Sequence, residues 1–353
     1  MNQTFHLAFV VSAFLAFILT YPVIKLAKKW GIVDDPQKNK HPKVTHTYPV
    51  PRGGGLAIYL SLVISALFFL PLDQHLLGII LGASVLLIVG LLDDKFDLNP
   101  YLRLGAQFLA ASLPIMAGIG IAYMTNPFGG IIDLSHPQIS FFLFGETRSI
   151  WILSDLFALF WIVTLINFIN MGAKGVDGQL PGVAAIAAFT LAVLSLRFSA
   201  DITEWPVIIL ALITAGAFLG FLPWNMYPQK IMPSFSGSNL AGYMLGILSI
   251  LTTAKIGTLL LVLGIPLIDT SFTIIRRISH GKSPVWGDRG HLHHKLLDAG
   301  LPRKSIAPIY WLFTAILGFG ALYLNATNKL YTILGISLLL AGILLWLTYR
   351  QKH

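Results

Sequence analysis

The sequence predicts an all-α protein that crosses a membrane many times, and three observations carry that expectation. Hydrophobic residues make up 56% of the 353-residue chain and charged residues only 11%. Apolar runs long enough to span hydrocarbon recur from one end to the other. Ordinary soluble proteins are roughly 25% charged, so a surface drawn from this composition cannot face water over most of its area. The absence of cysteine removes disulfide and thiolate chemistry. The whole chain, 1–353, reads as a single integral-membrane domain.

Runs of about 17–23 residues place spans at 5–27, 55–72, 75–92, 103–124, 150–169, 182–200, 205–222, 238–254, 256–276, 305–324 and 330–349. The expectation is a bundle of about 10–11 transmembrane helices. The first run has no small-residue cleavage site before the basic Lys25–Lys29 segment, so it is expected to be retained rather than removed as a signal peptide. In the break at 126–149, Gly129-Gly130 precedes the β-prone Ile139–Phe144 stretch, which predicts a small hairpin. The ninth run holds Pro266, expected to kink it. It also holds Asp269, an intramembrane acid that is either functional or paired with Arg276.

Charge then orients the chain. With the N-terminus outside, the loops at 27–54, 93–102, 170–182, 223–238 and 277–304 face the cytoplasm, and roughly 20 of the 24 Lys and Arg fall on that side. The +9 net charge is thereby explained without nucleic acid, because the basic residues spread over five loops with no reading helix among them. The lipid bilayer is the expected surrounding, in the cell membrane.

All the residues suited to catalysis lie in those five loops. The first contains Lys40, His46 and Arg52 before Gly53–Gly55, whose amides at a helix start suit a phosphate, although a basic juxtamembrane loop touching anionic lipid has the same composition. The second holds Asp93, Asp94 and Asp97. If helical, Asp97 lies three and four residues from the other two, and the acids crowd one helix end. Such a cluster suits a divalent metal and proton handling; a solvated end neutralised by Lys95 and Arg103 is the plainer alternative. The third loop offers Asn167, Asn170 and Asp177 among glycines, hard oxygen donors that suit Mg²⁺ or a nucleotide, or simply helix caps and a turn. The fourth places Asn225 beside Trp224 and Tyr227, where a base or sugar could sit. The fifth concentrates Arg289, His291, His293 and His294, donors for a diphosphate or, alternatively, ligands for zinc.

With the five loops in view, the chain resembles the polyprenyl-phosphate N-acetylhexosamine-1-phosphate transferases of glycosyltransferase family 4. The resemblance runs from Pro49-Val-Pro-Arg-Gly-Gly-Gly55 through Asp93-Asp94-Lys-Phe-Asp97 to His291-Leu-His-His294. The Arg-x-His-x-His-His form of the last motif and the eleven-span count are closer to the branch using UDP-N-acetylglucosamine than to the phospho-MurNAc-pentapeptide branch. The resemblance implies transfer of a sugar-1-phosphate from a UDP-sugar to polyprenyl phosphate, with release of UMP. It implies Mg²⁺, replaceable by Mn²⁺, held by Asp94, Asn170 and Asp177. Asp93 is the implied base, with Asp94, Asp97 and Asp177 also catalytic. Lys40, His46, Arg52, Asn167, Asn225, Arg289, His291, His293 and His294 are expected on the substrates, and a homodimer among the assemblies. Two positions depart from the family pattern: Lys174 stands where its third-loop motif has an acid, and Phe235 where its fourth-loop motif has the aspartate thought to hold the metal. A catalytically silent scaffold and a transporter are the rival readings; no repeated halves favour the latter.

Overall fold

The computed structural model describes residues 2–38, 46–143, 146–198, 200, 204–252, 255–283 and 289–350. The expected segments are helical: α1 (Asn2–Lys29), α2 (Gly55–Phe69), α3 (Gln74–Phe96), α4 (Pro100–Met116), α5 (Ile152–Gly172), α6 (Gln179–Ser195), α7 (Trp205–Asn225), α8 (Ser234–Leu251), α9 (Lys255–Val262), α10 (Gly264–Ser279), α12 (Arg303–Tyr323) and α13 (Ala326–Arg350). A short helix, α11 (Leu292–Asp298), was expected to be loop. The protein is an all-α polytopic membrane bundle.

By length and apolarity, six single helices among the described residues can cross a bilayer unaided, and the bent pair α9–α10 makes up to seven. α2 and α6, at 15 and 17 residues, rise only about 22–26 Å and are short for a full crossing. The ninth expected span is thus two helices meeting at 81°. The break falls at Leu263, one turn before Pro266, because Pro266 has no N–H to give the carbonyl four residues back. The fourth span also ends early, at Met116. There Gly118 takes φ +100°, and the Gly118 and Ile119 amides fold back onto Ile115 and Pro114 carbonyls at 2.8 and 3.0 Å, a Schellman stop. Beyond it the chain forms two antiparallel hairpins, β3 (Tyr123–Thr125) with β4 (Ile131–Asp133) and β5 (Gln138–Leu143) with β6 (Glu146–Trp151). The second covers the predicted hairpin, apart from Phe144, which lies outside the described residues.

Helices in hydrocarbon gain little from excluding water, so they associate through close backbone approach and a few polar contacts. α7 packs on α1 this way. A Cβ on Gly220 would lie 1.9 Å from the Ala13 carbonyl oxygen. Ser12 Oγ donates to the Ile213 carbonyl at 2.7 Å, and Ser61 Oγ of α2 donates to the Ser12 carbonyl at 2.7 Å. Gly220→Ala is therefore expected to destabilise the protein by about 1–3 kcal/mol, read as a lower unfolding midpoint in detergent. Leu338 and Leu339 of α13 and Phe14 of α1 point outward, as lipid-facing side chains do.

A two-stranded ladder, β1 (Val33–Asp34) with β2 (Val50–Pro51), folds the first loop back over the same end of the bundle that carries the other four. That end is where the polar side chains meet.

Candidate active site

The acidic helix end is built by two caps. α3 stops at Phe96 because Asp97 adopts the left-handed conformation (φ 48°), its N–H still reaching the Asp93 carbonyl at 2.9 Å. After two residues α4 begins, with Asn99 accepting from the Tyr101 amide and Pro100 in the first turn. The left-handed residue separates the three acids. Asp93 and Asp94 are buried at 2% exposure while the Asp97 side chain is 80% exposed. Arg103 meets Asp93, and Arg52 is shared between Asp94 and Asp97.

Arg103, on the first turn of α4, donates to Asp93 Oδ1 at 3.2 Å, and the Leu98 amide donates to the same oxygen at 3.0 Å. Asp94 is held otherwise: the Phe235 amide donates to Oδ1 at 2.9 Å and Ser236 Oγ to Oδ2 at 2.7 Å. A buried carboxylate thus caps the start of α8, which the macrodipole favours. Arg52 joins the pieces. Its Nε donates to Ser234 Oγ at 2.9 Å and its Nη1 to Asp97 Oδ1 at 3.2 Å, with Nη2 3.5 Å from Asp94.

Gly53–Gly55 does not form a phosphate cradle here. The Gly54 amide is taken by the Met232 carbonyl at 3.0 Å, and a Cβ on Gly55 would lie 2.5 Å from the Gly237 nitrogen. The triplet lets the first and fourth loops touch.

The third loop, 173–178, and the helix ends that flank it tie the remaining groups together. Lys174 Nζ donates to Asn170 Oδ1 at 2.6 Å, and Ser238 Oγ of α8 donates to the same oxygen at 2.8 Å. Gly175 follows, and a Cβ there would sit 2.1 Å from the His293 ring. Asp177 pairs with Arg303. Gly178 donates to Asn225 Oδ1 at 3.0 Å, and Gln179 Oε1 accepts from the Gly175 and Val176 amides at 2.9 and 3.2 Å. Burial pushes the Asp177 carboxyl up from its ordinary value, against the pull of Arg303.

The histidines form the second cluster. His291 Nδ1 lies 3.0 Å from Asp269 Oδ2, and the Leu292 amide donates to Asp269 Oδ1 at 2.8 Å. Asp269, expected either to be functional or to pair with Arg276, anchors the histidine tract. The His291 and His293 rings stack at 4° with centroids 5.6 Å apart, and His294 lies 4.3 Å from His293. His293 is buried, and its Nδ1 has no hydrogen-bond partner among the described residues.

Burial, with His294, His291 and Arg289 nearby, holds the His293 imidazole well below the ordinary 6.5. The unfolded chain takes up that proton near 6.5 and the folded chain does not, so stability falls as pH drops below that value. The expected slope is at most about 1.4 kcal/mol per pH unit. Thermal unfolding between neutral and mildly acidic pH checks it, and His293→Asn should flatten the curve.

Among the other expected residues, His46 is buried with Nε2 3.3 Å from the Asp34 carbonyl oxygen. Asn225 gives its amide hydrogens to Gln229 and Ile231, and Asn167 bonds Gln107 and the Val163 carbonyl. These two asparagines fasten loops and helices. Arg289 is exposed and donates to Asp298 at 2.6 Å. Lys40 lies outside the described residues. Sequence reasoning did not place Arg303 or Gln179 in the site; one opens a helix far along the chain, and the other resembles any polar residue after a glycine.

The oxygens expected to hold Mg²⁺ do not fit that ion. Both Asp94 oxygens carry donors, Asn170 Oδ1 carries an ammonium, and Asp177 gives Oδ1 to Arg303. That leaves the buried Asp177 Oδ2 as the one of these oxygens without a partner among the described residues. A divalent cation demands several free, converging oxygens. Among the described residues no group of three or more His, Asp or Glu side chains could hold a metal.

Comparison with known proteins places the chain in a family. Residues 76–253 match the profile described as glycosyl transferase family 4. A probable undecaprenyl-phosphate N-acetylglucosaminyl 1-phosphate transferase of Bacillus subtilis is 31% identical over 91% of this chain and 85% of its own length. A decaprenyl-phosphate N-acetylglucosaminephosphotransferase of Mycolicibacterium smegmatis is 29% identical over 88% and 79%. A phospho-N-acetylmuramoyl-pentapeptide-transferase of Chlamydia muridarum is 28% identical over 86% and 92%. With the profile covering half the chain and these relatives nearly all of it, the protein belongs to glycosyl transferase family 4.

Proposed function

We propose that this membrane protein transfers a sugar-1-phosphate, with N-acetylhexosamine as the sugar, from a UDP-sugar to polyprenyl phosphate and releases UMP. The observation that carries this reading is the third loop, which touches the acid–cation cluster through Lys174 and the histidine cluster through Gly175. Two phosphate-bearing substrates need two such adjoining sites. The relatives from Bacillus subtilis and Mycolicibacterium smegmatis carry names of the same reaction class.

In the proposed step a phosphate oxygen of the lipid attacks the β-phosphorus of the donor. A new P–O bond forms, the β–α phosphoanhydride bond breaks, and the electron pair leaves with UMP. A lipid monophosphate is largely ionised near neutral pH, so Asp93 need accept only the residual proton. Arg52, Arg103 and Lys174 face the lipid phosphate, and His291, His293, His294 and Arg289 face the donor diphosphate. Such charges act most strongly where water is excluded. The residues present do not fit Mg²⁺, so these side chains carry the charge of both phosphates. The polyprenyl tail would run between lipid-facing helices, with the site on the cytoplasmic face.

The test is UMP release by the purified protein in nanodiscs, given undecaprenyl phosphate and a panel of UDP-sugars. Release that needs both substrates supports the reading; no release from any UDP-sugar, in any buffer, sinks it. A homodimer remains an expectation, checked by mass photometry of the same particles.

A further inference from the structure

Phe235 is buried at the start of α8, and two cations lie against its ring. The Arg103 guanidinium carbon is 4.9 Å from the ring centre and the Lys174 ammonium 5.8 Å. Aromatic faces attract cations at these separations. Lys174 is also fixed at its tip by Asn170, whose oxygen is fixed in turn by Ser238. Both side chains are only partly buried, so they stay within reach of a ligand.

Charge around them is already balanced. Asp93, Asp94 and Asp97 stand beside Arg103, Arg52 and Lys174, so a dication would find no excess negative charge and would meet an ammonium on the oxygen it needs. Phe235 brings no ligand and holds both cations in place.

We infer that the acid–cation end of this site works without a divalent metal: Lys174 and Arg103, seated on Phe235, are the permanent cations that bind the substrate phosphates. The cation-exclusion half stands on geometry alone; the catalytic half rests on the proposed transferase reaction. An ammonium and a guanidinium cannot dissociate with a chelator as a metal does. They also bind phosphate oxygens directly, by charge-assisted hydrogen bonds. Lys174 is the phosphate-facing point charge and Arg103 the one shared with Asp93.

Two measurements test this separately. The first is a Mn²⁺ titration of the full chain in neutral-lipid nanodiscs, followed by electron paramagnetic resonance. The wild type should take up no stoichiometric Mn²⁺ in the micromolar range, whereas the double variant Phe235→Asp, Lys174→Ala should bind one ion per chain. One tightly bound Mn²⁺ on the wild type would overturn the inference. The second is UMP release in EDTA against release in millimolar Mg²⁺. Equal rates support it, as does a loss of about 100-fold in Lys174→Gln that Lys174→Arg largely restores. Abolition of activity by EDTA overturns it while leaving the transferase reading intact. If UMP appears in neither buffer, the transferase reading fails, and the Mn²⁺ titration alone decides whether the site excludes the metal.

Discussion

Asp93→Asn is expected to lower UMP release by about 10²–10⁴-fold while the unfolding midpoint moves little. The amide keeps an oxygen for the Leu98 amide but cannot take a proton or neutralise Arg103. Because Arg103 is only partly buried, water can take over part of its solvation, and the structural cost stays small beside the kinetic one. The loss should appear in kcat more than in KM, since the proton moves only as the phosphate oxygen attacks. Turnover within a few-fold of wild type would remove Asp93 from the chemistry.

Asp94→Ala should behave in the opposite way. This carboxylate joins the ends of α3 and α8, and its loss leaves the Phe235 amide and the Ser236 hydroxyl without their acceptor in a buried place. Arg52 also loses one of its two carboxylates. Breaking one side of such a buried charged network costs roughly 3–5 kcal/mol, which should show as a clear fall in the unfolding midpoint. Asp94→Asn, which can still accept from the Phe235 amide, should fall between alanine and wild type. An alanine variant as stable as wild type would mean that α8 begins at Ser234 for some other reason. Neighbours in sequence, the two acids are predicted to differ in kind, one kinetic and the other structural.

That difference shows how far sequence reasoning reached. Adjacent aspartates at the end of an apolar run mark a polar site, and nothing local tells which of them is committed to a neighbouring helix. The caps that separate them, left-handed Asp97 and then Asn99-Pro100, were visible as residues. Their effect on three side chains depended on where Arg52 and Arg103 arrived. The apolar run continues to 124 while the helix stops at Met116, a mismatch that arises because hydropathy does not distinguish Gly118 from its neighbours. The reversal it permits depends on backbone geometry that hydropathy does not register. Asp269 is similar: the sequence left open a functional role or a pair with Arg276 seven residues on, and the fold brings it His291 from twenty-two residues away.

Composition and periodicity by themselves determined the class of this protein, the order of its helices and the five polar loops that belong together. They could do so because hydrocarbon admits only apolar, internally hydrogen-bonded segments, a constraint written locally in every window of the chain. Lys174 and Phe235 stand out only against the motif pattern of the family that the chain resembles. What only the tertiary structure decided is the use of each charge. Ion pairs such as Asp94 with Arg52 and Asp177 with Arg303 join loops far apart in the chain. Coulomb attraction and hydrogen bonding depend on separations of a few ångströms that no spacing along the sequence encodes.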